Sequence, residues 1–152
     1  MTEAITPGPL VVGYDGREES ERALEDAFRE APLRGVDVVV LVVGSVPVEV
    51  FDPLAPAMYD VGAITPIPPD GPLELQPLLA EARRRVNESG VEGEVEWSLG
   101  DPAREILRVA EERDASAIVV GTHHHSALGR LFGTDIAETV AREARCEVIV
   151  AK

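Results

Sequence analysis

Five apolar segments are spaced along the chain, and their patterns predict strands. Three are nearly continuous runs rich in β-branched residues, at positions 9–15, 36–43 and 116–121. A fourth alternates between polar and apolar residues at 91–99, and a fifth lies at 146–152. Strands that are apolar at every position are typical of parallel sheets covered on both faces, because neither side of the strand meets water.

Helical patterns separate these segments, with apolar residues recurring at intervals of three and four. The predicted core faces of four helices are Leu24, Ala27, Phe28 and Ala31; Leu78, Leu79, Ala82 and Val86; Ile106, Leu107 and Ala110; and Ile136, Val140 and Ala144. Asp101 followed by Pro102 is a typical helix start, with an N-cap and a first helical residue. Alternating strands and helices predict an α/β fold, an open parallel sheet with helices on both faces.

A proline-rich segment at 45–77 interrupts this alternation. It contains eight of the twelve prolines and predicts a long loop between the second strand and the second helix. Long loops are often functional, but a variable surface insertion fits the composition equally well. The length of 152 residues predicts a single domain over 1–152, with this loop included.

The net charge of −14 changes the list of plausible partners. Duplex nucleic acid and anionic membranes both require a basic surface, so neither is expected as a partner. No apolar stretch approaches the roughly 20 residues that a membrane helix needs. The first residues lack the pattern of a secretory signal, and the single cysteine, Cys146, forms no internal disulfide, so we expect a cytoplasmic protein. Cys146 and Trp97 are interpreted as packed residues.

The segment 118–140 contains most of the residues that could bind a ligand. An apolar run ends at Gly121, and Arg130, Gly133 and Thr134 precede the last helical pattern. In open α/β sheets ligands bind at the carboxyl ends of the strands, where free N–H groups of a helix N-terminus attract anions. The sequence therefore favours a phosphate site without a P-loop, facing the turn that contains Asp15. Tight turns also use glycine, and Asp15 could instead cap the first helix.

The three consecutive histidines, 123–125, do not predict a metal site. Adjacent side chains in an extended segment point in opposite directions, and the sequence has no other histidine. Ser126 beside them lacks the glycine pattern of a nucleophile elbow. We therefore expect no metal and no catalytic residue in this loop.

Three stretches together resemble the universal stress protein family. They are VVGYDGREESERALEDA at 11–27, GDPAREIL at 100–107, and the stretch 115–152 that begins ASAIVVGTHHHS. The resemblance implies a five-stranded parallel sheet in the order 3-2-1-4-5, usually in a homodimer. In that order the apolar strand at 147–151 lies at an open sheet edge, so we expect it to pair with its copy. The alternative is that the proline-rich segment covers this edge. Some members of the family bind ATP or a related adenine nucleotide, and others do not.

The nucleotide-binding members carry G-x-x-G, nine residues, and then G-[ST]. Gly121 matches the first glycine and Gly133–Thr134 the last pair, whereas His124 replaces the second glycine and the spacer has eight residues. By resemblance, Asp15 lies near the adenosine and the strand end at Leu41 to Val43 contacts the adenine. Gly100 and Asp101 would lie beside the site, although a turn and an N-cap explain them fully. Thus the candidate ligand-binding residues are Asp15, Val43, Gly121, His124, Arg130, Gly133 and Thr134.

The leading hypothesis is a stress-response sensor or regulator that binds ATP or a related adenine nucleotide, with or without magnesium. One alternative is a dimeric protein-interaction module whose crevice binds no nucleotide. A second alternative is a slow ATPase, for which the sequence offers no positioned base. An enzymatic role is therefore not the main expectation.

Overall fold

A computed structural model describes residues 6–45, 67–122 and 136–152 of the protein. Strands and helices alternate along these residues. They are β1 (Leu10–Gly13), α1 (Glu18–Arg34), β2 (Val38–Gly44), α2 (Gln76–Ser89), β3 (Gly93–Leu99), α3 (Pro102–Glu112), β4 (Ala117–Gly121), α4 (Ile136–Glu143) and β5 (Glu147–Ala151). No helix within the described ranges is both long and apolar enough to span a membrane.

The five strands form one parallel sheet in the order β3-β2-β1-β4-β5, which confirms the predicted topology. β1 lies at the centre, where Val11 is in register with Val39 of β2 on one side and with Ile118 of β4 on the other. The chain winds outward in one direction through β2 and β3 and then in the other through β4 and β5. The direction reverses between β1 and β4, which places a crevice at the carboxyl ends of these two strands.

Each face of the sheet has its own core. Leu10, Val12 and Tyr14 of β1 and its extension point toward α1 and α2, and Val11 points toward α3 and α4. Successive side chains of a strand alternate between faces, so a strand buried on both sides is apolar throughout. This explains why β1, β2 and β4 read as continuous apolar runs.

The predicted core faces of the helices are mostly correct, and the observed buried faces are rotated slightly about the helix axes. The predicted residues that are buried are Leu24, Ala27, Ala31, Leu79, Ala82, Val86, Ile106, Ala110 and Val140. Five others are only partly buried, namely Phe28, Leu78, Leu107, Ile136 and Ala144. Ala23, Val109 and Ala137 are buried as well, although the sequence pattern did not include them.

The ends of the helices follow the local sequence. Asp101 caps α3, and its carboxylate accepts a hydrogen bond from the backbone N–H of Arg104 at 3.0 Å, which confirms the predicted N-cap. Gly35 ends α1 in the left-handed conformation, with φ of 65°, a conformation that glycine adopts at little cost.

The predicted proline-rich loop and two predicted packed residues can be placed in part. Positions 46–66 lie outside the described residues, and the end of the segment forms a 3-10 turn at Leu73–Leu75 that runs into α2. Trp97 packs against the core on the α1 and α2 side, as predicted. Cys146 is half-buried directly before β5, and burial raises the pKa of its thiol.

Candidate functional site

A cleft opens at the carboxyl ends of β1 and β4, where the sheet changes its winding direction. The space between its residues is about 600 Å³, part of which is open solvent. The lining residues are Gly13, Tyr14, Asp15, Glu19, Ser20, Leu41, Val43, Pro102, Ile106, Val120, Gly121 and Ile136. The sequence-based expectation of a crevice at this position is therefore confirmed.

One wall of the cleft is apolar. Leu41 and Val43 come from the end of β2, Ile106 from α3 and Val120 from β4. Pairing extends beyond β1 at this point, since the backbone N–H of Tyr14 donates to the carbonyl of Leu41 at 2.9 Å. Apolar walls of this kind suit a flat ring system, which loses little by leaving water.

The opposite wall is polar and is built by the turn between β1 and α1. Oδ1 of Asp15 accepts a hydrogen bond from the backbone N–H of Arg17 at 2.9 Å and another from the hydroxyl of Ser20 at 2.8 Å. Oδ2 lies 3.7 Å from Nε of Arg17, which is an ion pair without a hydrogen bond. The N-cap of α1 is Arg17 itself, so Asp15 organises the turn before the helix instead of capping it.

Ser20 is a lining residue that the sequence interpretation did not include. It lies in the first turn of α1, is only 8% exposed, and forms hydrogen bonds with both the backbone and the side chain of Asp15. A serine five residues after an aspartate, at the start of a helix, is the local signal that could have identified it.

Gly121 has a structural explanation that does not require a ligand. A Cβ atom at this position would lie 2.1 Å from the carbonyl oxygen of Glu19 and 2.5 Å from its carbonyl carbon. The first turn of α1 therefore rests directly on the end of β4, and only a residue without a side chain permits this approach. Gly121 also lines the cleft, so the same packing brings the Asp15 turn close to the β4 end.

A charged network lies on the face of the sheet that α1 and α2 cover, and it includes the cleft residue Tyr14. The hydroxyl of Tyr14 donates to Oε1 of Glu21 at 2.6 Å, and Nη2 of Arg85 lies 2.9 Å from Oε2 of Glu21 and 3.6 Å from Glu25. Burial of Tyr14, together with the hydrogen bond to Glu21 and the charge of that carboxylate, raises the pKa of the phenol. Tyr14 therefore remains a donor at neutral pH, and the network joins β1, α1 and α2.

Asp15, Val43 and Gly121 are brought together in the cleft. The other four predicted ligand-binding residues, His124, Arg130, Gly133 and Thr134, lie outside the described residues. Their segment connects Gly121 to Ile136, and both of these residues line the cleft.

The predicted neighbours Gly100 and Asp101 act as a turn and a cap. Gly100 has a φ of 145°, and its backbone N–H donates to the carbonyl of Gly44 at 2.9 Å. Only the next residue, Pro102, lines the cleft. A turn at Gly100 and an N-cap at Asp101 therefore account for both residues without a ligand.

Comparisons with known proteins agree with this architecture. The model of the universal stress protein family matches residues 8–152. Universal stress protein YxiE of Bacillus subtilis (strain 168) is 28% identical over 144 residues, which cover 94% of this chain and 97% of that protein.

Two solved structures from Archaeoglobus fulgidus are similar over nearly the whole chain. The structure of a universal stress protein is 32% identical with a TM-score of 0.67, covering 97% of this chain and 100% of that one. The structure of the universal stress protein in complex with dAMP is 30% identical with a TM-score of 0.61, and the match covers 95% of this chain and 98% of that one. On the match of its family model, its relatives and its fold, this chain belongs to the universal stress protein family.

Proposed function

We propose that this protein binds an adenine nucleotide, ATP or a close relative, in the cleft between the ends of β1 and β4 and acts as a stress-response sensor or regulator. The observation that carries the proposal is the pairing of an apolar wall, suited to a base, with the polar Asp15 turn at the winding reversal of the sheet. The Archaeoglobus fulgidus protein in complex with dAMP, at 30% identity, supports the same ligand class.

Charge divides the proposed site into two parts. Asp15 and Glu19 are the charged side chains among the described residues that line the cleft, and both are acidic. Carboxylates repel phosphate, so affinity for the phosphate groups must come from elsewhere. In the proposal, the phosphates contact Arg130, His124 and the backbone at Gly133–Thr134, and the base contacts the strand end at Val43.

The identity of the ligand is tested first. Mass spectrometry of small molecules released from purified, denatured protein, followed by calorimetric titration with ATP, ADP and AMP, should reveal an adenine nucleotide. A protein that carries none and binds none in titration would favour the alternative of an interaction module with an empty crevice.

The role of the glycine at 133 is tested by substitution. Gly133→Val should weaken nucleotide binding at least tenfold, because a branched side chain prevents close approach of the backbone to a phosphate. Gly129→Val is the matched control in the same segment and should bind within about threefold of wild type. Equal affinities of wild type and Gly133→Val, both folded by circular dichroism, would contradict the proposed phosphate contact.

His124 replaces a motif glycine, and we propose that its imidazole contacts a phosphate. His124→Gly should then weaken binding, and more strongly below the reference histidine pKa of about 6.5, where the protonated ring attracts anions. Calorimetry at pH 6 and pH 8 measures both effects. Tighter binding by the glycine variant at pH 6 would show instead that the side chain obstructs the site.

We also propose that two copies pair through β5, which lies at the edge of the sheet. Val150 is 38% exposed there, and Glu147 at the start of the strand is held by two hydrogen bonds from Arg34, at 2.8 and 3.1 Å. An open edge with apolar side chains is a template for another strand, and a two-fold axis closes it.

Sedimentation tests the pairing of the β5 edges. Wild type should sediment as a dimer at tens of micromolar. Ile149→Pro should shift the protein toward monomer, because proline removes a backbone donor, whereas Ile149→Ala, which keeps that donor, should shift it less. A monomeric wild type, or a folded proline variant that stays fully dimeric, would refute the proposed interface.

A further inference from the structure

Ser20 occupies an unusual position for a helix-surface serine. It is buried, lines the cleft and has three hydrogen-bond partners within reach, all in or beside the turn between β1 and α1. Its oxygen accepts from the backbone N–H of Asp15 at 3.2 Å, and its hydroxyl lies 2.8 Å from Oδ1 of Asp15 and 3.0 Å from the carbonyl oxygen of Arg17. The hydroxyl has one proton, and the negatively charged carboxylate is the stronger of the two acceptors.

Within the described part of the chain, these contacts restrict one oxygen of Asp15 and leave the other available. Oδ1 is held by the Ser20 hydroxyl and by the backbone N–H of Arg17 at 2.9 Å. Among the described residues, Oδ2 has only the distant ion pair with Arg17, and the Asp15 side chain is 49% exposed at the cleft. An ionised carboxylate accepts hydrogen bonds and donates none, so this oxygen suits a hydroxyl or amino donor of a ligand.

We infer that Ser20 is a positioning residue, which holds the Asp15 carboxylate so that Oδ2 accepts a hydrogen bond from the nucleoside part of the ligand. The inference rests on the proposed nucleotide binding and adds a residue through which Asp15 acts. An unrestrained aspartate at the surface loses side-chain rotamer freedom when a ligand binds, and this loss weakens binding. Because Ser20 already restricts the Asp15 side chain in the ligand-free protein, most of this loss does not occur on binding. Loss of the hydroxyl should therefore weaken binding about three- to tenfold.

Amide hydrogen exchange in the ligand-free protein tests whether Ser20 holds the turn that carries the Asp15 carboxylate. Ser20→Ala removes the acceptor of the Asp15 N–H and should speed its exchange at least tenfold, whereas Ser20→Thr keeps the hydroxyl and the protection. Unchanged exchange at Asp15 in the folded alanine variant would overturn the inference, whatever the ligand.

Calorimetric titration with AMP tests the consequence for binding. Ser20→Ala should bind about three- to tenfold more weakly than wild type, and Ser20→Thr should recover to within about twofold. If Ser20 acts through Asp15, the double variant D15A/S20A should bind no more weakly than D15A. A full additional loss in the double variant, or wild-type affinity of Ser20→Ala, would overturn the inference.

Analogues of AMP identify the donor that Asp15 accepts. The 2′-deoxy and 3′-deoxy forms each lack one sugar hydroxyl, and IMP lacks the exocyclic amine. The analogue that lacks the donor should bind wild type more weakly but lose nothing further in D15A, and full affinity of all three analogues would overturn the inference. If wild type binds no adenine nucleotide at all, the proposed function fails, while the exchange measurement still decides whether Ser20 holds Asp15.

Discussion

Replacing Gly121 by alanine tests how closely α1 rests on β4. The added Cβ would lie 2.1 Å from the carbonyl oxygen of Glu19, whereas contacts below 3.0 Å are essentially never seen. The backbone at Glu19 must therefore move by at least about 0.9 Å, the difference between these two distances. Because the obstacle is backbone within a helix, it has no rotamer change available to relieve the contact.

Two effects of this substitution oppose each other. Alanine restricts the unfolded chain, which stabilises the folded protein by about 0.4–1 kcal/mol. Overpacking costs about 1–3 kcal/mol, and a rigid neighbour places this case in the upper part of that range. The net expectation is a loss of about 1–2 kcal/mol in the free energy of unfolding, which lowers Tm by roughly 2–8 °C for a chain of this size.

Urea unfolding monitored by circular dichroism measures this loss. Gly13→Ala is the matched control, since its Cβ would lie 2.7 Å from Cδ1 of Ile106, a side-chain methyl group that can rotate away. We expect Gly13→Ala to lose less stability than Gly121→Ala. A Gly121→Ala variant as stable as wild type, or more stable than Gly13→Ala, would refute the close helix–strand contact.

Two further predictions concern the cap of α3 and the network of Tyr14, Glu21 and Arg85. Asp101→Ala should cost about 1 kcal/mol in the free energy of unfolding by urea, because the N–H of Arg104 loses its partner, and Asp101→Asn should cost less; equal losses would contradict a capping role. The raised pKa of Tyr14 means that the folded protein keeps the phenol proton above pH 10, where the unfolded chain releases it. The resulting stability is complete below about pH 10 and is lost as the pH rises further toward the folded-state pKa. Urea unfolding between pH 8 and pH 11 should show a shallower alkaline loss in Tyr14→Phe, and parallel curves for the two proteins would exclude this contribution.

The positions of the strands and helices could largely be predicted from local patterns of apolar and polar residues. Continuous apolar runs correctly located the strands, and Asp101 with Pro102 correctly marked the start of α3. The strand order came from resemblance to a family, because apolar periodicity carries no information about which strands are neighbours. Of the predicted site residues, Asp15, Val43 and Gly121 meet at the cleft. Ser20 was missed, although its position five residues after Asp15 at the start of a helix was a local signal for the contact between them.

By itself, the sequence determined the type and order of the strands and helices seen in the described residues, the core faces of the helices to within a small rotation, and the family. The elements and their core faces depend on residues close together in the chain, whose spacing reports directly on burial, whereas the family rests on three separate motifs taken together. Only the tertiary structure decided that Gly121 must lack a side chain, because its obstacle, the carbonyl of Glu19, is about a hundred residues away in the chain. The same holds for the ion pair between Arg85 and Glu21, which joins two helices. Such contacts depend on the position and orientation of each helix on the sheet, and these are set by the packing of the whole core.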